Sequence, residues 1–209
     1  MSNPWEEIHL DDYENHMKQD SVRQLQAMNS IMQEQFEAYP SETVMILGIA
    51  GGNGLEHIRT EKYHTVYGVD INEAYLRAVS ERYTRLSDIL TLFLIDLVQD
   101  SQQLPTAELV IANLLIEYIG YTAFQKAVLR VKPEYVSCVI QINTDENSWV
   151  SDSPYLHAFD GLDAIHHQME EKELDTVMSE IGYALILRKS EALPNGKALV
   201  RMDFQKKIK

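Results

Sequence analysis

The residues of this chain that could do chemistry stand at the ends of apolar runs. The stretch MILGIAGGNGLEHI, residues 45–58, sets Gly48, Ala50, Gly51, Gly52 and Gly54 directly after such a run. Glycine has no Cβ, so a turn of this composition lets a ligand approach the main chain and its N–H groups. A second run, TVYGVDIN, ends in Asp70, sixteen residues beyond Gly54; a third, LFLIDL, ends in Asp96; a fourth, LVIAN, ends in Asn113. A carboxylate at the tip of the second strand can accept two hydrogen bonds from ribose hydroxyls. Asp96 is placed to accept from an adenine amino group. Each feature also has a plainer reading: a tight turn with no ligand, and Asp70 as the N-cap of a helix that begins near Asn72.

Spacing narrows the ligand. A dinucleotide fingerprint needs a third small residue three places after the second glycine, and GNGLEH puts His57 there. No Gly-Lys-Ser/Thr follows, so a phosphate loop of the Walker type is excluded.

Candidate catalytic groups come next in the chain. Glu117 and Tyr118 in NLLIEYIGY follow the fourth strand and would face an acceptor, or would instead form the first turn of a helix with Tyr118 packed. The stretch 143–162 has no clear periodicity and brings together Trp149, Tyr155, His157 and Phe159; aperiodic loops of about 20 residues usually serve as lids or binding segments. His157 is the preferred general base, because an imidazole titrates near neutral pH. His166 and His167, beside QMEEKE, read as a solvated helix face. No metal is expected from these histidines with Asp160 or Asp163, since none forms a convincing ligand pair. Tyr13 and His16 would either cap the pocket or make ordinary interhelical contacts.

The elements that must position these groups follow from periodicity. Residues 43–143 alternate near-continuous apolar runs with helix-length segments, which predicts parallel strands covered on both faces and joined by right-handed crossovers. A helix is expected to open near Gly54. Upstream, Val22, Leu25, Met28, Met32, Phe36 and Tyr39 recur at helical spacing, with Ser21 as N-cap and Pro40 as stop. Downstream, a helix over 170–183 precedes two strand-like runs about Asn195-Gly196, a hairpin signal. Residues 1–40 thus read as a helical arm or cap and 41–209 as the remainder of a single α/β domain.

Composition removes several classes of partner. The 209 residues include 32 acidic and 18 basic ones, a net charge of −14 that repels a phosphate backbone, so nucleic acid is not expected. No stretch reaches the ~18 apolar residues of a membrane span, and the acidic N-terminus lacks the apolar region of a secretion signal. A cytoplasmic protein is expected. Cys138, the sole cysteine, lies in VSCVIQ and reads as an inert core thiol. The apolar face of residues 21–39 either covers the pocket or meets a second subunit, which leaves a homodimer open.

Taken in order, ILGIAGGNG, VYGVDIN, LFLIDL and AELVIANLLIEYI resemble the motifs of the class I S-adenosylmethionine-dependent methyltransferases. The resemblance covers about residues 43–143 by motif and continues to the C-terminus by element order. It implies a Rossmann-like, doubly wound, mostly parallel sheet with helices on both faces and an antiparallel C-terminal hairpin. It also implies S-adenosylmethionine as cofactor, with Gly48, Ala50, Gly51, Gly52 and Gly54 in the binding loop, Asp70 and Ile71 at the ribose, Asp96 and Leu97 at the adenine, and Asn113 by the reacting centre. Two departures stand out. Gly48 occupies the place where the family usually has an acid for the methionine ammonium, and Ala50 replaces the first loop glycine; Asn113, main-chain carbonyls or an acid of the arm would then hold that ammonium. No Asn/Asp-Pro-Pro-Tyr follows the fourth strand and no Pro-Cys is present, which with the acidic charge favours a small-molecule acceptor. The expected function is methyl transfer to a small molecule. A non-catalytic nucleoside-binding protein and a nicotinamide-dependent oxidoreductase are the alternatives, the latter disfavoured by His57 and the antiparallel ending.

Overall fold

The computed structural model describes residues 3–143 and 154–207. Seven strands form one sheet: β1 (Thr43–Leu47), β2 (Thr65–Asp70), β3 (Leu90–Leu94), β4 (Leu109–Asn113), β5 (Tyr135–Ile142), β6 (Tyr183–Ala192) and β7 (Ala198–Lys206). Their spatial order is β3-β2-β1-β4-β5-β7-β6. β1 pairs in parallel with both β2 and β4, Ile46 standing opposite Gly68 and Ile111. The chain therefore leaves β1 in one direction and returns on its other side at β4, a topological switch point whose carboxyl edge is open to ligands. β7 runs antiparallel between β5 and β6, and Gly196 turns the hairpin at φ 78°.

Strand alternation distributes the core to two layers. Val44 and Ile46 of β1 face α2 (Gln24–Ala38) and α3 (Glu73–Arg82), where Met32, Phe36, Leu76 and Val79 pack. Met45 and Leu47 face α4 (Ile116–Val131) and α5 (Glu171–Glu180), against Phe124, Val128 and Met178. A shorter helix, α1 (Leu10–Met17), lies ahead of α2. Cys138 is buried in β5 and donates to the Met202 carbonyl.

Three helix expectations are corrected. No α-helix opens at Gly54; a single 3-10 turn, Leu55–His57, gives way to extended backbone at Ile58. The layer such a helix would fill is taken by α2. Gly54, at φ +92°, passes so close under it that a Cβ would lie 2.5 Å from Met32 Cβ. α2 itself starts at Gln24 rather than beside Ser21, because Arg23 adopts a left-handed φ of 51°. His166 and His167 precede α5, outside any helix; the His166 N–H donates to the Leu162 carbonyl and the His167 N–H to the Glu117 carbonyl.

Candidate functional site

The glycine turn is built inward. The Gly48 and Ile49 N–H groups donate to the Val69 carbonyl, and the Ala50 N–H donates to Asp70 Oδ2 at 2.9 Å. With those amides engaged and no helix behind the turn, the loop is not a phosphate cradle. Gly51 lies directly under an ion pair: a Cβ there would come within 2.2 Å of Glu14 Oε1 and 2.8 Å of Arg82 Nη1, so those two side-chain ends would have to shift. There Arg82 Nη1 donates both to Glu14 Oε1 and to the Gly51 carbonyl, fastening α1 across the loop.

Asp70 is 9% exposed, and its Oδ1 accepts from the Asn72 N–H at 2.9 Å. Burial pushes its carboxyl up to about 6, against the opposing pull of these backbone donors. The helix cap is a different residue: Asn72 accepts from the Ala74 and Tyr75 N–H groups and donates to the Trp5 carbonyl, so one side chain starts α3 and ties down the arm. Asp96 Oδ1 accepts from the Val98 N–H. Asn113 forms a reciprocal amide pair with buried Gln35, at 2.9 and 2.8 Å, and Gln35 continues through Ser137 to Asp203.

A cleft of about 670 Å³ opens at this carboxyl edge. Gly48, Ala50, Asp70 and Ile71 line one side, and Asp96, Leu97 and Asn113 line another. Trp5 and Tyr13 of the arm close over them, joined edge to face with centroids 5.9 Å apart. Gly51, Gly52 and Gly54 are not among its walls; Gly52 packs on Tyr83, and Gly54 on Met32. Ala50 and Leu114, both lining the cleft, hold φ of 46° and 53°, the kind of backbone strain that concentrates at functional sites. The Tyr75 hydroxyl also lies here, buried with no hydrogen-bond partner among the described residues.

A second cleft of about 570 Å³ shares Trp5, Tyr13, Leu114 and Tyr118 with the first. Glu117, 4% exposed, lines it; its Oε1 accepts from the Gln141 N–H at 2.8 Å, and its Oε2 has no partner among the described residues. Burial lifts this carboxyl to about 7. Tyr118 stacks edge to face on Trp5 at 4.9 Å. His16, His166 and Lys197 are also walls of this cleft.

His157 is at neither cleft. Its side chain is 91% exposed and pairs with Asp160 at 3.2 Å. The irregular 3-10 run Leu156–Ala164 turns Phe159 and Leu162 inward against Ile8, which sends His157 outward. Tyr155 joins that apolar cluster, while Trp149 lies outside the described residues. Among the described residues, no three His, Cys, Asp or Glu side chains are grouped to hold a metal ion.

Sequence reasoning missed Trp5, Gln35, Tyr75 and Lys197. Trp5 and Gln35 stand far in the chain from what they touch, Lys197 sits in a hairpin turn that reads as exposed, and Tyr75 reads only as an apolar position of α3.

The fold matches solved structures. Magnesium protoporphyrin IX methyltransferase ChlM from Synechocystis PCC 6803, crystallised with S-adenosylhomocysteine, superposes with a TM-score of 0.66 at 11% identity over 94% of both chains. N-methyltransferase NodS from Bradyrhizobium japonicum WM9, also in complex with S-adenosylhomocysteine, gives 0.65 at 12% identity over 99% of this chain and 100% of its own. The chain has the class I S-adenosylmethionine-dependent methyltransferase fold. No protein-family model matches the sequence, and no curated protein matches it. The methyltransferase fold also carries other reactions: the [4+2]-cyclase SpnF superposes with a TM-score of 0.67 at 8% identity over 90% of this chain and 84% of its own. What this chain does must therefore be argued from its site.

Proposed function

We propose that the chain binds S-adenosylmethionine in the first cleft and methylates a small-molecule acceptor held in the second. The observation that carries this reading is the placement of two acids, Asp70 and Asp96, on one cleft at the switch point of this fold. Asp70 is suited to the ribose hydroxyls, Asp96 to the adenine amino group, and Ile71 and Leu97 to the faces of the base. The buried Tyr75 hydroxyl supplies a further polar group for a ligand to satisfy. A turn whose Gly48, Ile49 and Ala50 amides are already engaged suits a sulfonium nucleoside better than a pyrophosphate. When bound, the cofactor supplies an electrophilic methyl group: the acceptor lone pair forms the new bond, the carbon–sulfur electrons stay on sulfur, and the acceptor proton is left to be removed. The residues of this chain contribute position, exclusion of water by the arm, and a proton acceptor. Gly48 offers no carboxylate to the ammonium, and the Asn113 amide is turned to Gln35 and Met32.

Calorimetric titration with S-adenosylmethionine, S-adenosylhomocysteine and NADH tests the proposal. Micromolar binding of both sulfur nucleosides, with none of NADH, supports it. Absence of binding to either sulfur nucleoside refutes it, and binding without turnover across an acceptor screen would favour a non-catalytic nucleoside-binding protein.

A further inference from the structure

Resting on that reading, we infer that Glu14 of α1 holds the ammonium of the cofactor's amino acid arm, in a third cleft beside the glycine turn. That cleft, about 550 Å³, is walled by Glu14 of α1, by Gly51 of the turn and by Met28 and Met32 of α2. It shares Gly48, Ala50 and Asn113 with the first cleft. Tyr13 and Leu114 line all three clefts, so the three meet beside this pair. A sulfonium carries three carbon substituents. With the adenosine in the first cleft and the methyl group turned to the second, the third cleft is left for the aminobutyrate arm, and the sulfur comes to lie near Tyr13 and Leu114.

That arm ends in an ammonium, which is costly to take out of water without an acceptor and is best met by a carboxylate. Among the described walls of the third cleft, Glu14 alone is charged. The polar amides there are committed to other partners. Asn113 Oδ1 accepts from Gln35, and Asn53 accepts from Asn29 while donating to the Leu25 carbonyl.

Glu14 is also held in place. Its Oε1 accepts from Arg82 Nη1 and its Oε2 from Arg82 Nη2 at 3.1 Å, directly over Gly51. A carboxylate offers about four lone-pair sites, and these two N–H groups use half of them, which leaves room for an ammonium. Arg82 is thus a positioning residue: it aims a side chain that is only 24% exposed at the cleft. The acid that Gly48 cannot supply after β1 comes instead from the arm, so the same segment that closes over the nucleoside recognises its far end.

The test is calorimetry with S-adenosylhomocysteine, with its desamino analogue, which lacks only the ammonium, and with 5′-methylthioadenosine, which lacks the whole arm. The wild type should bind S-adenosylhomocysteine tighter than the desamino analogue by about tenfold or more, the scale of one charge-assisted hydrogen bond. Glu14→Gln should bring that ratio down to about threefold or less, as a neutral acceptor replaces a charged one, and leave 5′-methylthioadenosine affinity close to wild type. Arg82→Met breaks the same ion pair but keeps the carboxylate, so it should retain most of the ratio. Equal affinity of the wild type for S-adenosylhomocysteine and the desamino analogue overturns the inference, whatever becomes of the variants. A ratio that survives Glu14→Gln, or that falls equally in both variants, overturns it as well, since Glu14 would then serve only to fasten the arm. Binding of 5′-methylthioadenosine without such discrimination removes Glu14 from the site and leaves the proposed function standing. If none of the three ligands binds the wild type, the proposed function falls and this inference with it.

Discussion

Asp70→Asn separates what Asp70 does for the fold from what it is proposed to do for the ligand. The wild-type carboxylate accepts from two main-chain donors, Ala50 N–H and Asn72 N–H. An asparagine has one acceptor oxygen, so one of these amides would face an NH2 group, at a cost of about 1–3 kcal/mol. Against this stands the burial penalty that the variant escapes. A carboxyl raised from 3.8 to about 6 holds its proton more tightly in the native state than in the unfolded chain. The stability it contributes is complete below the unfolded value and is lost as pH rises through about 6, a loss of about 3 kcal/mol in full. Between about pH 5 and about pH 7.5 the wild type should lose about 1.4 kcal/mol through this group, and Asp70→Asn should not. Urea denaturation of both proteins at the two pH values measures the difference directly. The variant should be destabilised at the lower pH and close to wild type at the higher. S-adenosylhomocysteine affinity should tighten in the wild type as pH passes about 6, because hydroxyl donors favour the ionised form, and stay flat and weaker in the variant. A stability difference that is the same at both pH values would refute the argument that burial governs Asp70.

Other expectations follow from single contacts. Gly54→Ala should cost about 2–4 kcal/mol by thermal or urea unfolding, since strain at φ +92° adds to overpacking against Met32, and Met32→Ala should not recover the loss in the double variant, because the closest contact is with the Met32 Cβ that alanine keeps. Asp203→Asn should cost about 3–5 kcal/mol by urea unfolding, because it leaves the 3%-exposed Arg201 guanidinium without its buried carboxylate. His157→Ala should change stability by no more than about 0.5 kcal/mol and leave nucleoside affinity unaltered, as befits a side chain 91% exposed; a large loss of either would return it to the site.

The strands, their parallel order, the antiparallel ending and the positions of Asp70, Asp96 and Asn113 at strand tips were legible in the sequence, because each is a local pattern. An apolar run closed by a polar residue marks a buried strand and its exposed end wherever it occurs. The Asn195-Gly196 turn was legible for the same reason: its signal is the backbone freedom of two adjacent residues. The cap of α3 required the structure. Asp70 and Asn72 are both good capping residues, and only the Ala50 amide, brought over from β1, commits Asp70 elsewhere.

Tertiary structure alone decided the rest. Periodicity tells a helix which face to bury but not what will cover the neighbouring strand; once α2 filled that layer, the segment after Gly54 had room for one 3-10 turn. His157 looked chemically best because imidazole titrates near neutrality, yet that property is intrinsic to the side chain and says nothing of where the chain points it. Glu117, His16, His166 and Lys197 come from four separate segments and acquire their shifted proton affinities only on being packed together. Desolvation is a property of the assembled interior, so a residue's type and spacing can nominate it for chemistry, while its burial and neighbours decide whether it has any.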